Sequence, residues 1–534
     1  MDKYVIGIDY GTLSARAILT QADGIVVAET EFEYPHGVLD FGGKKTDAYQ
    51  HPRDYLQAMS ACVSGLLKIG KISAESVAGI GIDFTSCTVL PVDAEGTPLC
   101  FLQGYQEEPQ AYAKLWKHQS AQPQADRITA LAKKTGQPWL RRYGGRVSAE
   151  WFFPKLLELC ETAPRVYKAC DQYIEAADWL TQLLTGEQIR SSCMAGYKAL
   201  WSQESGYPDN DFWAQLGMPD VIGTKVKGQV KTVGTKAGTL NAKGAELTGL
   251  PQGIPVSVPV IDAHAGLPAA GVTQEGKMIL IMGTSSCQLV LSRTDVQPEG
   301  VSGSVKNGVL PGFTALESGQ ASVGDTFRWF VKNAVPEAYS RQAAAEGKNI
   351  YDYLTEKAGL LHPGASGLLA LDWFNGNRVP YADGSLTGML LGLNLQTKPE
   401  EIFLALMEST AFGTRNIVEV YEKNGVAVRE IYATGGIPRK NPFLMQLYAD
   451  VLGKEIRVIS ASQGGAKGSA VLAASAAGIF PDVASAARAM ADQWDVAYQP
   501  RPEQAEIYQK LYAQYCRMST YFAADPIMKK LKRI

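Results

Sequence analysis

The sequence lacks the features that would place the protein in a membrane or in an oxidising compartment. No apolar run approaches the roughly 18 residues needed to cross a bilayer, and no signal peptide is recognisable. The eight cysteines form no C-x-x-C pair. These absences predict a reduced, cytoplasmic protein with no membrane association and no metal–thiolate site.

A surplus of basic charge and the common phosphate-binding loops are also missing. The formal charge is -3, and the only block of Lys and Arg is the short "MKKLKRI" at the end, so we expect no nucleic-acid partner. No G-x-G-x-x-G follows a strand. "GVTQEGKM", residues 271–278, fits G-x-x-x-x-G-K, but Met278 occupies the position where a P-loop needs Ser or Thr, and a β-run follows instead of a helix.

What remains has the composition of a folded protein with more than one domain. The chain has 534 residues, 46% hydrophobic and 20% charged, which is too long for a single ordinary core. Its first hundred residues predict three strands, a helix and further strands, a mixed α/β unit. Residues 100–250 are richer in helical patterns and are interpreted as an insertion that shapes a pocket, as in "AYAKLWKHQSA", "EWFFPKLLELCE" and "ADWLTQLLTG".

The layout of the first residues recurs after a Gly/Pro-rich stretch at 249–272. "GKMILIMGTSSCQLVLSR" is again a β-run, a Gly-Thr turn and a second β-run, as in "YVIGIDYGTLSARAILTQ". A long helix, a strand into two glycines, a helix, a strand and a Gly/Ala-rich helix follow. The sequence therefore predicts two related halves.

Each Gly-Thr turn has the chemistry of an anion site. Successive backbone N–H groups and a hydroxyl can bind phosphate without a basic side chain, so two such turns facing each other would hold a polyphosphate. Asp9 would repel phosphate directly, and its expected role is to hold a hydrated Mg²⁺. The alternative is an ordinary β-hairpin with an Asp and a Gly in its turn.

The sequence resembles the FGGY family of carbohydrate kinases along essentially the whole chain, and three segments carry the resemblance most clearly. "IGIDYGTLSARAIL" resembles the first phosphate motif, "LIMGTSS" the second, and "YATGGIPRKNPFLMQLYADVLG" the adenosine segment. "GIDFTSCTVLPVD", "EEPQAYAKLWKH", "AGYKALW", "LESGQASVGDTF" and "LLALDWFNGNR" are similar to the bacterial ribulokinase branch. The resemblance implies an α/β fold of two actin-like ATPase (ribonuclease H-like) domains with the active site in the cleft between them.

The same resemblance implies a division of labour and a set of ligands. Residues 1–270 would form the sugar-binding domain with the helical insertion, and residues 271–534 the nucleotide-binding domain. ATP, Mg²⁺ and a pentulose sugar are the expected ligands. The family often forms homodimers, so a homodimer is expected as an alternative to a monomer.

By this resemblance Asp262, in "PVIDAHAG", is the catalytic base. A carboxylate that accepts the proton of the sugar hydroxyl is chemically reasonable for phosphoryl transfer, although an Asp at such a site is also a common helix N-cap or turn residue. Ser86, Lys198 and Glu317 are the expected sugar ligands. Ser86 replaces an Ala of the family, so contacts there can be through the backbone. Trp116 is expected either at the pocket edge or buried in a helix.

The expected nucleotide residues lie in three segments. The phosphate turns supply Gly11, Thr12, Ser14, Gly283, Thr284 and Ser285, and the adenosine segment supplies Gly435, Gly436 and Asn441, with Gly464 and Gly465 as further candidates. Each of these can instead belong to a routine strand-to-helix loop. Arg16 is open between a phosphate contact and a structural ion pair, and His264 is interpreted as structural.

The resulting hypothesis is ATP-dependent phosphorylation of L-ribulose at its terminal 5-hydroxyl, in pentose (arabinose) catabolism. A kinase for xylulose, D-ribulose or ribitol is the nearest alternative, because pocket geometry is not legible in one sequence. An actin-like or chaperone-like ATPase is a further alternative that shares the nucleotide turns.

Overall fold

The computed structural model describes residues 3–43, 46–459 and 463–531. The strands of the first half are β1 (Tyr4–Tyr10), β2 (Ser14–Gln21), β3 (Val26–Glu33), β4 (Tyr49–Gln50), β5 (Val77–Phe84), β6 (Val89–Val92), β7 (Ala113–Lys114), β8 (Gln172–Glu175), β9 (Ile189–Ser191), β10 (Gln229–Lys231), β11 (Lys236–Thr239), β12 (Pro255–Ser257) and β13 (Val260–Ile261). Its helices are α1 (Pro52–Gly70), α2 (Gln122–Lys134), α3 (Phe152–Thr162), α4 (Pro164–Ala169), α5 (Ala176–Thr185), α6 (Ser192–Lys198), α7 (Asn210–Ala214), α8 (Val221–Thr224), α9 (Ala242–Thr248) and α10 (Asp262–Ala269).

The first half is built on one mixed sheet. Its strand order is β11-β12-β5-β1-β2-β3, with β1, β2 and β3 forming the predicted antiparallel meander and β5 running parallel to β1. Helix α1 follows the meander as predicted, with Asp54 in its first turn and a buried apolar face that contacts β2 and β3. The strand-strand-strand-helix-strand prediction is confirmed.

The second half repeats this arrangement. Its strands are β14 (Gly276–Met282), β15 (Ser286–Ser292), β16 (Gly303–Lys306), β17 (Thr314–Gln320), β18 (Leu369–Leu371), β19 (Met389–Leu391), β20 (Val428–Thr434), β21 (Ile456–Val458) and β22 (Val496–Tyr498). Its helices are α11 (Gly324–Ala334), α12 (Glu337–Ala345), α13 (Ile350–Gly359), α14 (Pro399–Lys423), α15 (Gly436–Lys440), α16 (Pro442–Leu452), α17 (Gly464–Ala476), α18 (Val483–Met490), α19 (Pro502–Ala524) and α20 (Ile527–Leu531).

The central strands of the two sheets have the same order. The second sheet runs β16-β17-β15-β14-β20-β21-β22, so β17-β15-β14-β20-β21 corresponds to β3-β2-β1-β5-β12. In both sheets the first strand pairs antiparallel with the second and parallel with the strand that follows the long helix. The two related halves predicted from the sequence are therefore present.

A tetrapeptide that occurs twice in the first half fixes how the helix α17 lies on the sheet. "IGID" occupies residues 6–9 and 80–83, and the parallel register of β1 and β5 places the two copies side by side, with Gly7 opposite Gly81. A Cβ on either glycine would lie 1.9 Å from a backbone oxygen of α17. The glycines therefore allow α17 to cross both strands directly, next to the two aspartates that end the repeats.

Helices α17 and α18 belong to the first core although they come late in the chain. Their buried alanines, leucines and valines are part of the hydrophobic cluster beneath the first sheet, and α17 also contacts α10. The predicted boundary after residue 270 falls in the turn between α10 and β14. Among the residues described, no helix is both long enough and apolar enough to span a bilayer.

The insertion has its own core, and one predicted helix within it is wrong. The segments at 152–162 and 176–185 are helices α3 and α5, as predicted. "AYAKLWKHQSA" instead contains the short strand β7, which pairs with β4 and β6. Lys114 in this strand is buried, and its Nζ binds Glu158 at 2.6 Å. The side chains of this segment are therefore buried by strand pairing and by an internal ion pair, and the segment has no buried helical face.

Candidate active site

A cleft of about 1020 Å³ lies between the two halves. Its wall contains six of the side chains predicted from the sequence: Ser86, Trp116, Lys198, Asp262, Ser285 and Glu317. The first four of these residues come from the first half of the chain and the last two from the second half. Lys198 ends helix α6 and Asp262 begins helix α10, whereas Glu317 lies on β17. The fold thus brings residues more than a hundred positions apart into one cavity.

Asp262 is the first residue of α10 and faces this cleft. Its Oδ1 accepts a hydrogen bond from the Ala263 N–H at 2.7 Å, while Ile261 is the N-cap residue. Burial, and then the charge of Asp9, raise the pKa of Asp262 to about 7, although the Ala263 N–H and Lys198 act in the opposite direction. A carboxylate with a pKa near neutrality can accept a proton at physiological pH more readily than an ordinary Asp.

Lys198 and Glu317 form a buried ion pair beside Asp262. Lys198 Nζ lies 3.1 Å from Oε1 and 2.9 Å from Oε2 of Glu317. Burial alone would raise the pKa of Glu317, but Lys198 and His264 outweigh it and hold the pKa well below its usual range. Burial would likewise lower the pKa of Lys198, and Glu317 raises it instead. Both groups are therefore charged at neutral pH.

His264 contacts the Glu317 carboxylate of this ion pair and holds it in place. Its Nε2 lies 3.2 Å from Glu317 Oε2 and its Nδ1 lies 3.1 Å from Cys193 Sγ. Burial lowers the pKa of His264, so the neutral ring donates from Nε2 to the carboxylate and accepts from the thiol. This geometry agrees with the structural interpretation of His264.

The turn that carries Ser86 is held by a lysine that the sequence did not single out. Lys155 in α3 is fully buried, and its Nζ donates to the carbonyls of Cys87 at 2.8 Å and Leu115 at 2.9 Å. One ammonium therefore ties the residue after Ser86 to the residue before Trp116. It connects two separate segments of the cleft wall.

Asp9 lies opposite a second buried acid, Asp83. The two are register partners on β1 and β5, and each carboxyl affects the pKa of the other. Burial raises the pKa of Asp83 well above its ordinary value, and Asp9 raises it further. Asp83 Oδ2 accepts a hydrogen bond from Ser469 Oγ of α17 at 2.7 Å.

The donor atoms around Asp9 suit Mg²⁺ better than a softer metal. They are carboxylate oxygens, and Asp83 Oδ1 is buried with no hydrogen-bond donor. Within the described ranges, no three His, Cys, Asp or Glu side chains stand close enough to hold a metal alone. This arrangement fits a cation that keeps several waters and uses only one or two carboxylates with substrate phosphates.

The first Gly-Thr turn is connected to the cleft through Trp116. Trp116 lies in a turn, is 36% exposed, and its Nε1 donates to Thr12 Oγ1 at 3.0 Å, so the alternative of a buried helix tryptophan is wrong. Gly11 N donates to Ser14 O at 3.0 Å and closes the turn. Ser14 and Arg16 both bind Glu31, at 2.8 and 3.1 Å, which is the ion-pair interpretation of Arg16.

The second Gly-Thr turn meets the glycines of the adenosine segment. Gly283 N donates to Ser285 O at 2.9 Å, and the Thr284 carbonyl accepts from Val323 N at 2.9 Å. Gly435 has a φ of 107°, and a Cβ there would lie 2.3 Å from Met282 O, immediately before the turn. These residues therefore form one surface at the carboxyl ends of β14 and β20.

The remaining predicted nucleotide residues lie at the starts of three helices: Gly436 in α15, Asn441 before α16 and Gly465 in α17. A Cβ on Gly436 would meet open space. Asn441 caps α16 by accepting from Leu444 N at 2.9 Å, and its amide donates to Thr355 Oγ1 at 3.3 Å. A Cβ on Gly465 would lie 2.9 Å from Asp9 Cγ, so the start of α17 borders Asp9. Nucleotide binding by these residues stays a prediction.

Comparison with known proteins agrees with this architecture. Residues 4–268 match the N-terminal domain, and residues 278–477 the C-terminal domain, of the FGGY family of carbohydrate kinases. The chain is 45% identical to a ribulokinase of Bacillus licheniformis, with 98% of this chain and 97% of that protein aligned. It is 44% identical to a ribulokinase of Halalkalibacterium halodurans, with 100% and 97% aligned.

Solved structures share the fold at lower identity. A xylulose kinase from Rhodospirillum rubrum superposes with a TM-score of 0.80 at 24% identity, over 97% of this chain and 100% of that one. A glycerol kinase from Plasmodium falciparum with ADP superposes with a TM-score of 0.77 at 17% identity, over 97% and 98%. The α/β fold of two actin-like ATPase domains is thereby confirmed. From the two domain matches and the full-length relatives it follows that the chain belongs to the FGGY family of carbohydrate kinases.

Proposed function

We propose that the protein transfers a phosphoryl group from ATP to ribulose, and that its preferred substrate is L-ribulose phosphorylated at the terminal 5-hydroxyl. The observation that carries the proposal is the buried Lys198–Glu317 pair beside Asp262 in a cleft between two kinase domains. The ribulokinases that align with the whole chain at 44–45% identity support the same substrate.

The ion pair suits a neutral polyol. Lys198 can donate to one sugar hydroxyl while Glu317 accepts from its neighbour, and a site built to bind hydroxyls rejects analogues that lack one. His264 keeps the Glu317 carboxylate in place. Asp262 accepts the proton of the hydroxyl that becomes phosphorylated, because burial keeps the pKa of its carboxyl near neutrality.

The phosphates of ATP are assigned to the two Gly-Thr turns. The backbone N–H groups around Thr12 and Thr284 provide anion sites, and the open surface at Gly436 leaves room for the adenosine. Asp9, with Asp83 beside it, would hold Mg²⁺, which when bound would neutralise charge on the phosphate oxygens. Enclosure of the sugar between the halves would exclude water that otherwise competes for the phosphoryl group.

We assign sugar binding mainly to residues 1–270 and nucleotide binding mainly to residues 271–534, with Glu317 as a sugar ligand contributed by the second part. Helix α17 would then link the two functions, because it lies on the first sheet and begins beside Asp9. The homodimer and the cytoplasmic location stay predictions from the sequence.

Sugar-dependent ADP release tests the proposal. A coupled assay would compare L-ribulose, D-ribulose, xylulose and ribitol with the wild type and with Asp262→Ala, and ³¹P NMR would locate the phosphate on the product. We expect the highest kcat/KM with L-ribulose, a 5-phosphate product and a loss of about 10²- to 10⁴-fold in turnover in the variant. Equal kcat/KM for every sugar would contradict the narrow substrate, and ADP release independent of sugar would contradict kinase function.

A further inference from the structure

Arg378 is a basic residue of the cleft whose side chain has no hydrogen-bond or ion-pair partner among the residues that the structure describes. It lies in the loop between β18 and β19, is exposed and lines the cleft. Each other Lys or Arg of this wall, among the residues that the structure describes, is engaged: Lys198 with Glu317, Arg146 with the Ala382 carbonyl and Lys529 with Asp383. Arg378 therefore presents an uncompensated positive charge to whatever enters the cleft.

Contacts with strand β17, which pairs with β15, locate the side chain of Arg378. Its Nη1 lies 3.7 Å from where a Cβ would stand on Gly319. Gly319 pairs with Cys287, which lies two residues after Ser285 of the second Gly-Thr turn. Glu317 is two residues away on the same face of β17, about 7 Å along the strand. The guanidinium thus lies near the segment of β17 that is two residues from Glu317 and that pairs with the start of β15, directly after the second Gly-Thr turn.

Cys287 also lines the cleft, and the charged groups that shift the pKa of its thiol include those of the candidate site. Burial and then Glu317 raise the pKa of the Cys287 thiol, Lys198 and Arg378 lower it, and Asp262 raises it again. The Asp262 carboxylate and the Arg378 guanidinium therefore both influence this thiol, in agreement with their shared place on the cleft wall.

A neutral sugar does not need this charge, but the transferred group does. In the reaction the sugar hydroxyl oxygen forms a bond to the γ-phosphorus, the bond from that phosphorus to the β,γ-bridging oxygen breaks, and ADP leaves. The hydroxyl proton passes to Asp262. The moving phosphoryl group carries its charge on three equatorial oxygens, and a planar guanidinium matches two such oxygens at once.

We propose that Arg378 contacts the phosphoryl group during its transfer and the phosphate of the sugar product, a role that rests on the proposed kinase function. Arg378 then stabilises charge that is absent from the free sugar. Its removal acts on kcat and on binding of the phosphorylated product, and leaves binding of the free sugar unchanged.

The test compares Arg378→Met and Arg378→Ala with Arg341→Met, a control that removes an exposed arginine on α12. We expect the two Arg378 variants to lose about 10²- to 10³-fold in kcat, with KM for the sugar within about threefold of the wild type. Guanidinium ion added to Arg378→Ala should restore part of kcat. Calorimetry should show weaker binding of ribulose 5-phosphate, by about tenfold or more, and unchanged binding of ribulose.

Three results would overturn the role of Arg378. They are kcat values equal to those of the control, a raised sugar KM with unchanged kcat, and equal loss of affinity for ribulose and its phosphate. If the wild type phosphorylates no ketopentose, the proposed function fails separately. Arg378 is then judged by thermal melts with ADP and aluminium fluoride, which mimics the moving phosphoryl group. Stabilisation of the wild type but not of Arg378→Met supports the role, and equal stabilisation refutes it.

Discussion

The proposed role of Asp262 as proton acceptor predicts a specific dependence of activity on pH. The pKa of this carboxyl is raised from 3.8 to about 7, first by burial and then by Asp9. A general base works only when it is ionised. With a pKa of about 7, roughly one molecule in eleven is active at about pH 6 and ten in eleven at about pH 8. The kcat/KM for the sugar should therefore rise about tenfold per pH unit below the pKa and level off above it.

The assay is the coupled measurement of ADP at saturating ATP over about pH 5.5 to 8.5, with Asp262→Asn as the comparison. The variant should lose about 10²- to 10⁴-fold in kcat/KM, and its residual rate should show no limb near pH 7. Checks of the coupling enzymes at each pH provide the control. The reasoning is refuted if Asp262→Asn retains a limb with the same midpoint, or if the wild type is flat across this range.

The same raised pKa also predicts that the contribution of Asp262 to stability falls as the pH rises, whereas its contribution to activity increases. A carboxyl whose pKa is higher in the folded protein than in the unfolded chain stabilises the fold at low pH and loses that contribution as pH rises towards the folded value. For Asp262 this loss is complete above about pH 7 and has an upper limit of about 4 kcal/mol. Asp262→Asn should thus melt at a higher temperature than the wild type at pH 8, and the difference should vanish near pH 4.

Three further predictions concern the walls of the site. Gly435→Ala should destabilise the fold, since its Cβ would clash with a backbone oxygen at the end of β14, whereas the matched variant Gly436→Ala should melt normally and weaken only ATP binding; equal melting temperatures would contradict this. Lys155→Met should lower the free energy of unfolding in urea by about 2–5 kcal/mol, because two buried carbonyls lose their donor, and an unchanged midpoint would show that they are otherwise satisfied. Trp116→Phe and Thr12→Val each remove one partner of a single hydrogen bond, so their effects on ATP affinity should be less than additive, and strict additivity would exclude coupling through this bond.

The sequence was sufficient for features carried by local pattern. The strands around both Gly-Thr turns, the helix α1 and the repeat of layout between the halves follow from apolar periodicity and turn residues, and the structure has them. Trp116 shows the limit: its neighbours have helical spacing, but pairing of β7 with two other strands decides the local structure. Pairing with strands that are distant in the sequence produces no recognisable pattern in such a short segment.

The missed residues act through partners that are remote in sequence. Lys155 is important because its ammonium reaches two carbonyls on separate segments, and Arg378 because its guanidinium forms no ion pair with the described residues. Neither property is visible in a motif. Asp83 is different, since the second "IGID" could have revealed it: an identical tetrapeptide on a neighbouring parallel strand predicts a second aspartate beside the first.

That repeat also explains why fold and chemistry are coupled at this site. The glycines of both copies let α17 lie against the sheet, and the same crossing buries Asp83 and brings its carboxyl to Ser469. Burial then raises the pKa of Asp83 and of Asp9, a cost to folding that a bound cation would relieve by favouring the ionised forms. The close packing that stabilises the first domain therefore also brings together the two carboxyls to which we assign the cation.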